Sequence, residues 1–459
     1  VSADVTAAFS PIPSSDPGRR ASVSIATTVP AGVAPGLEGA TPDGLDALRH
    51  AAATHARSHA DQPHVAVLVP GGIAPAEAAA AIVEGVLLAR YRYDVLRSRP
   101  TGTPLEELTL VTSPDAEAAV NAGAARGQTL AAATALARDL ANTPHSHLTA
   151  TRLGQIATQL GPAAGLGVEI TDKAGLIAER IGGLLAINQG SAEPPVMITL
   201  TYRPDGSDAG TGHLALVGKG IMYDSGGIAL KPGDAVHARM KNDMSGAAAI
   251  LAAMLQLRAL GCTTAVTGWL MCTDSMPSST ALAMGDVIVH RDGTTVEIAN
   301  TDAEGRIVMA DGLVLAREAA PDAIVDIATL TGAMMRALGS DVAGVIGNHD
   351  GLVEAVRAAG TATAEPAWPM PLWRGYADQL DSTVADMKNL GWGDGGAITA
   401  ALFLEHFVGD VPWAHLDIAG TAWSDKDRGP LTAGCTGFGA RLLVQLALDF
   451  SPPTGALSA

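Results

Sequence analysis

Two stretches of this chain concentrate side chains that can do chemistry. The first runs Val217-Gly-Lys219-Gly-Ile-Met-Tyr-Asp224-Ser-Gly-Gly227-Ile-Ala-Leu-Lys231-Pro and resumes at Met240-Lys-Asn-Asp243-Met-Ser-Gly. The second is Asn300-Thr-Asp302-Ala-Glu304-Gly-Arg306. Together they hold four carboxylates (Asp224, Asp243, Asp302, Glu304), the lysines Lys219 and Lys231, and Arg306. Carboxylates that converge without cations repel and raise one another's pKa. Two divalent ions would cancel that charge, and oxygen-rich ligand sets suit magnesium, manganese or zinc. Two such ions can share a water, lower its pKa and clamp both ends of a hydrolytic displacement. Lys231 and Arg306 add positive charge where a tetrahedral oxyanion would develop.

Each residue taken alone has a plainer reading. Thr301-x-x-Glu304 fits a helix capping box, and Asp302 or Asp243 could be simple N-caps. Gly218-Lys-Gly220 suggests a phosphate loop, but neither the Walker nor the dinucleotide glycine pattern is met. Asp224-Ser-Gly-Gly resembles the nucleophile stretch of trypsin-like proteases, which sit on β-barrels, whereas helices and strands alternate here. The charge count favours reading the residues jointly, as one bimetallic hydrolytic site.

The surrounding sequence indicates what positions them. Leu214–Val217 reads as a buried strand, with Lys219 and Asp224 just beyond its carboxyl end, where α/β proteins bind ligands. The glycines at 218, 220, 226 and 227 permit close approach or positive φ. Val296–Ala299 reads as a strand that delivers Asp302 and Glu304 to a helix starting near Gly305. Further strands are expected at Val196–Tyr202, Ala265–Met271, Val287–His290, Ile324–Thr329, Val342–Ile346 and Trp413–Ile418. Helices are expected near 152–160, 244–259, 305–319, 351–359, 397–407 and 436–447. The alternation predicts an α/β fold: a small N-terminal α/β domain followed by a larger catalytic domain with a mixed, mostly parallel sheet flanked by helices.

Residues 1–125 are assigned to the N-terminal domain, with strands at Ala21–Thr28, Val65–Pro70 and Leu108–Ser113 and helices at Gly44–Ala60 and Pro75–Arg90. Residues 126–149 form a connecting helix and linker, the helix running from Arg126 to Asn142 and stopped before Pro144. Residues 150–459 form the catalytic part. His50, His55, His59 and His64 lack an H-E-x-x-H frame and read as an exposed helix face.

Composition bounds the function further. The 459 residues are 47% hydrophobic and 17% charged, which suits a folded core. A net charge of −18 disfavours phosphate backbones, so no nucleic acid is expected as a partner. Cys262, Cys272 and Cys435 lack C-x-x-C spacing, which argues against a disulfide framework or a cysteine zinc site. No apolar run is long enough for a bilayer, and Val1–Thr6 shows no basic leader. The expectation is a cytoplasmic protein with no membrane partner.

At these residues the chain closely resembles the leucyl aminopeptidases, the M17 family of cytosolic metalloexopeptidases. The family hallmark Asn-Thr-Asp-Ala-Glu-Gly-Arg-Leu stands here as Asn300 to Ile307. Val217–Lys231, Asp243-Met-Ser-Gly-Ala-Ala, Asp326-Ile-Ala-Thr-Leu-Thr-Gly-Ala333, Ala137–Pro144, Asp386-Met-Lys-Asn389 and Trp413–Trp423 match as well. The resemblance covers about 137–445. Met222 and Tyr223 stand where Thr and Phe are common, and Gly434–Arg441 lacks the usual Gly-Arg-Pro.

The resemblance implies a di-metal aminopeptidase, its two ions per chain being Mn2+ or Zn2+, that removes the first residue of peptides with a free N-terminus. A metal-bridging water would be the nucleophile. Lys219 and Asp243 would hold one metal, Asp302 the other, and Asp224 and Glu304 would bridge. Lys231 would polarise the scissile carbonyl. Arg306 would hold a bicarbonate ion acting as general base, with Thr329 and Leu330 beside it. Met240, Thr329 and Gly332 would line the pocket for the first side chain, so Leu and Met should be favoured over Ala, and all of these over Asp and Glu. A homohexamer, a dimer of trimers, is the implied assembly. The alternative is a DNA-binding regulatory member of the same family with secondary peptidase activity.

Overall fold

The computed structural model describes residues 21–29, 35–37, 44–204 and 212–458, so Val1–Thr6 lies outside the described residues. The described residues fall into two compact units, drawn from Val1–Asp139 with Ser424–Thr436 and from Leu140–Trp423 with Gly437–Ala459.

In the first unit, β1 (Ser22–Ala26), β2 (Pro35–Gly36), β3 (His64–Leu68) and β4 (Glu107–Val111) make a parallel sheet in the order β1-β4-β3-β2. Between them come α1 (Leu45–Ser58) and α2 (Pro75–Ala89). These helices bury alanines at 52, 53, 78, 79 and 81. Small side chains let the helices approach closely, and a buried Arg49–Glu84 pair at 3.1 Å joins them. Helix α3 spans Glu117–Asn142, starting nine residues before the expected Arg126. Gly123 does not interrupt it: its face packs on the Ala76 backbone, where a Cβ would stand 2.0 Å from the carbonyl oxygen. Arg138, buried on α3, donates to the carbonyls of Leu88, Pro430 and Thr436 and so ties residues 424–436 into this unit.

The second unit carries an eight-stranded sheet. Its strands are β5 (Leu166–Thr171), β6 (Val196–Tyr202), β7 (His213–Asp224), β8 (Ala265–Ser275), β11 (Ala323–Ala328), β12 (Ala343–Gly347), β13 (Ala367–Pro369) and β15 (Trp413–Asp417). The order is β13-β12-β15-β11-β7-β8-β6-β5. The central run β15-β11-β7-β8 is parallel, β5 and β6 pair antiparallel with their neighbours, and β12 runs antiparallel to β15 but parallel to β13. The chain is thus α/β with a mixed, mostly parallel sheet, as expected. The strands β9 (Val287–Val289), β10 (Thr295–Glu297) and β14 (Met387–Lys388) leave that sheet and form a small one of their own. The remaining helices are α4 (Ala150–Leu160), α5 (Lys173–Ala178), α6 (Gly182–Ile187), α7 (Ser245–Met254), α8 (Glu304–Glu318), α9 (Gly332–Leu338), α10 (Asp350–Thr363), α11 (Gly396–Val408) and α12 (Ala440–Leu448).

Two helices clasp the central strand β7. Every residue of α7 is buried, as an all-apolar, small-residue helix requires. Gly218 faces it, since a Cβ there would meet Ala247 and Ile250. Val217 faces the other way, against Gly312 of α8. The main core lies on that α8 side and joins Val308, Leu313, Phe403, Phe407 and Trp413. Among the described residues no helix is long and apolar enough to cross a membrane.

Candidate metal centre

β7 runs seven residues past the expected end at Val217, so Lys219 lies inside the strand and Asp224 closes it. Side chains alternate across a strand, so positions 219 and 224, five apart, would face opposite sides of a regular one. The register changes between Ile221, opposite Thr273, and Asp224, opposite Ser275. Three steps on β7 therefore match two on β8. That extra residue is a bulge, and it returns Asp224 to the face of Lys219.

On that face the predicted residues meet. Lys219 Nζ stands 2.6 Å from Asp243 Oδ2 and 2.8 Å from Glu304 Oε1, and donates to the Thr329 carbonyl at 3.0 Å. Lys231 Nζ lies 2.7 Å from Asp224 Oδ2 and 2.5 Å from Asp302 Oδ1. Gly226 and Gly227 turn the chain between Asp224 and Lys231 with φ of 88° and 64°. A Cβ on Gly226 would lie 2.8 Å from Asp302 Oδ1, so only glycine lets that carboxylate approach.

The plain capping readings fail here. Asp243 precedes α7, whose N-cap is Met244 without a side-chain bond. Its Oδ1 accepts instead from Thr329 Oγ1 at 2.6 Å. Ala303, not Asp302, caps α8. Thr301 Oγ1 donates to Gly226 O and accepts from Ala229 N, so it staples the second stretch to the first.

Asn389 holds the Asn300 turn. Its Oδ1 accepts from Ala299 N at 2.8 Å and Asn300 N at 3.2 Å, while its Nδ2 donates to Asn300 O at 2.7 Å. Asp417 likewise accepts from the backbone of Leu330 and Thr331 and from Thr331 Oγ1, fixing the turn after β11. Sequence reasoning assigned neither residue a role, and the signal available was membership of a matched motif.

Burial and charge set the protonation of the cluster. Burial, reinforced by Glu304, pushes Asp224 up to about 7 against the pull of Lys231 and Lys219. Burial also lifts Asp243 and Asp302 above the usual carboxylate range. Glu304 goes the other way: burial would raise it, but Lys219 and Lys231 outweigh that and hold it below its ordinary value. Burial alone would lower both lysines, yet the carboxylates raise them.

The protein groups do not balance one another. Fully ionised, four carboxylates against two lysines would leave two negative charges. One oxygen each from Asp224, Asp302 and Glu304 lie within 4.8 Å of one another. Among the described residues, buried Glu304 Oε2 has no hydrogen-bond partner, and Asp243 Oδ2 has only its ion pair with Lys219. Hard oxygen donors with excess negative charge and an orphaned carboxylate oxygen fit divalent cations. Arg306 shows the opposite need. It is 4% exposed, and its Nε and Nη1 are buried without acceptors among the described residues. Burial lowers its pKa to about 10, although Glu304 and Asp417 support the charge. Such a guanidinium fits a small oxyanion.

Of the residues expected around a substrate side chain, Met240 is half-buried and Gly332 is exposed, with nothing within 4 Å of a Cβ placed on it. The Thr329 hydroxyl is committed to Asp243, and Leu330 approaches Gly305.

Residues 135–444 match the cytosol aminopeptidase family, catalytic domain. The chain belongs to that family. A probable cytosol aminopeptidase of Chlorobaculum tepidum is 44% identical over 390 residues, which span 82% of this chain and 76% of the relative. One from Streptomyces avermitilis is 42% identical over 433 residues, spanning 91% and 83%. Among solved structures, the bottromycin maturation enzyme BotP in complex with Mn is similar, with a TM-score of 0.82 and 40% identity over 88% of this chain and 87% of that one. A second BotP structure has a TM-score of 0.82 with 37% identity, over 93% and 99% of the two chains. The family is one of metal-dependent aminopeptidases, hydrolases acting on peptides, and the chain shares that class.

Proposed function

We propose that the chain is a two-metal aminopeptidase that removes the N-terminal residue of peptides, with Leu and Met preferred over small or acidic residues. The observation that carries this is the meeting of Lys219, Asp224, Lys231, Asp243, Asp302 and Glu304 around the unpaired Glu304 Oε2.

Lys219 and Asp243 would hold one ion, Asp302 the second, and Asp224 and Glu304 would bridge. Two divalent ions supply Lewis acidity, an activated water and an anchor for the substrate's free α-amine. A lysine ligand is neutral, so Lys219 would give up its proton on binding. Lys231 sits at the open side of the cluster, its side chain 20% exposed. From there its ammonium can stabilise the oxyanion that forms when the scissile carbonyl is attacked. Arg306 would hold bicarbonate, positioned to take the proton from the attacking water. Met240, Thr329, Leu330 and Gly332 would receive the first residue. Met240 is flexible and apolar, and a charged side chain there would lose solvation without a partner.

The assembly proposed is a homohexamer, and the compartment the cytoplasm. The deciding experiment measures kcat/KM on a panel of aminoacyl-anilides while metal content is followed by elemental analysis. Full activity in metal-stripped protein would reject the reading.

A further inference from the structure

Thr329 follows the last residue of β11 and is buried, as are Lys219 and Asp243. It touches both of them. Its carbonyl accepts from Lys219 Nζ at 3.0 Å, and its hydroxyl donates to Asp243 Oδ1 at 2.6 Å. The Asp243 main-chain carbonyl is farther from that hydroxyl, at 3.4 Å. A hydroxyl has one proton to give, so the carboxylate receives it. The three residues come from separate elements: Lys219 from within β7, Asp243 from just before α7, and Thr329 from just after β11.

The fold holds Thr329 still. β11 runs parallel to β15 with Asp326 opposite His415. Asp326 accepts from Trp413 Nε1 at 2.6 Å and from His415 Nδ1 at 2.5 Å. On the other side of Thr329, Asp417 of β15 accepts from Leu330 N, Thr331 N and Thr331 Oγ1. The chain before and after Thr329 is thus tied to one neighbouring strand. α7 comes equally close. A Cβ on Gly246 would stand 2.1 Å from the Ile327 carbonyl oxygen and 3.1 Å from Lys219 N. The start of α7 therefore abuts the seam between β7 and β11, which brings Asp243 within reach of the hydroxyl. Threonine is stiff at χ1, so its hydroxyl keeps one direction.

A carboxylate that is free to turn can offer either oxygen, or both, to a cation. Here Oδ1 is taken by the Thr329 hydroxyl, and Oδ2 is the oxygen that faces Lys219, at 2.6 Å. An acceptor on one N–H of an amine likewise sets where the rest of the amine points. We propose that Thr329 is a positioning residue for one metal: its hydroxyl turns Asp243 so that Oδ2 alone faces the ion, and its carbonyl holds Lys219 Nζ to the same place. This rests on the reading that Lys219 and Asp243 hold one ion. It gives Thr329 a task apart from receiving the substrate's first side chain.

The test is a titration of metal-stripped protein with Mn2+, the free ion being followed by electron paramagnetic resonance, with the melting temperature of each metal-free variant recorded. Wild type should bind two ions, and Asp243→Ala should lose one of them. Thr329→Val keeps the shape and the carbonyl but deletes the donor. It should bind that same ion about tenfold more weakly, the lower end of the usual cost of losing a group that orients a ligand, and the other ion as wild type does. Thr329→Ser keeps a hydroxyl and should bind both ions as wild type does. If Thr329→Val binds both ions as tightly as wild type, the proposal is overturned, and an accompanying change in the preference for Leu over Ala anilides would leave Thr329 to the pocket alone. If Thr329→Val and Thr329→Ser weaken both ions alike with lowered melting temperature, the role of Thr329 is structural and the proposal is overturned. If Asp243→Ala keeps both ions, or wild type binds none, the reading of the metal ligands falls and takes this inference with it.

Discussion

Lys219 Nζ and Glu304 Oε1 lie 2.8 Å apart, both buried, one from the middle of β7 and one from the first residue of α8. The lysine stem reaches its partner by crossing Gly305, where a Cβ would stand 2.7 Å from Lys219 Cε and 2.8 Å from Nζ. The glycine of the Asp-Ala-Glu-Gly-Arg stretch is thus a clearance for the lysine of the other stretch.

Gly305→Ala should therefore fold, since the far end of a lysine can move, but displace Nζ from Asp243 and Glu304. Misplacing a catalytic constellation by about 1 Å can cost roughly 10²-fold in rate. Elemental analysis should show reduced metal occupancy, and kcat should fall by that order. Unaltered occupancy and rate would mean that Lys219 is not a ligand.

Removal of metal by a chelator should abolish peptidase activity, and manganese, zinc or cobalt should restore it, with about two ions per chain at saturation. Asp243→Ala and Glu304→Ala should lose metal. Lys231→Ala and Arg306→Ala should retain it and lose kcat by about 10²–10³, the usual cost of one oxyanion-stabilising group. A near-normal kcat in Lys231→Ala would remove that residue from the mechanism.

Asn389→Ala removes four hydrogen bonds from the turn that presents Asp302 and leaves two backbone N–H groups without their acceptor. These bonds lie in a partly exposed turn, and each is worth about 0.5–1.5 kcal/mol. Denaturant titration should register that loss, with kcat falling more than KM rises. If stability holds and only KM changes, Asn389 contacts substrate instead of shaping the turn.

The raised pKa of His415 has a signed consequence for stability. Burial works against the charge, but Asp326 and Asp417 prevail, so the folded state holds the proton more tightly than the unfolded one. That contribution is complete below the ordinary imidazole value, about 6.5, and is lost as pH rises through the folded value. Wild type should exceed His415→Asn in unfolding free energy most at pH 6 and progressively less toward pH 9. A gap that widened with pH would show that the imidazole is buried neutral.

Substrate choice can be checked on the same anilides. An extra methylene in an apolar pocket gains roughly 1–3 kcal/mol, so Leu and Met should exceed Ala in kcat/KM, with Asp and Glu lowest. The Thr329 hydroxyl, bound to Asp243, is not free to recruit a polar side chain. A preference for acidic or basic first residues would point to a lining residue other than Met240, Thr329, Leu330 and Gly332.

The clustering of the candidate residues was legible because chemistry and spacing coincide within short contiguous stretches. Strands such as Val196–Tyr202 were legible because a continuous β-branched and apolar run is unambiguous. β7 was underestimated for a local reason: Gly218 and Gly220 signal a turn in sequence, whereas in the sheet they make room for α7 and for β8. β5 went unnoticed because it is an edge strand whose central side chains are largely exposed, so it lacks a hydrophobic signature. Asn389 and the Asp326–His415 pair act on partners about ninety residues away, as with Asn389 and Asn300. No local pattern marks such a partnership, and one histidine in an apolar strand reads as ordinary core.

The extra residue between Ile221 and Asp224 makes the strand sensitive to parity. Five positions separate Lys219 from Asp224, an odd number, so the two share a side only while the bulge persists. A strand that smoothed out the bulge at unchanged length would turn the carboxylate toward α7, away from Lys219 and Lys231. A strand that lost the extra residue would pair evenly and keep the two on one side, four apart. The letters of this stretch and the side on which they act are therefore set separately, the second by whether the count between lysine and aspartate agrees with the shape of the strand.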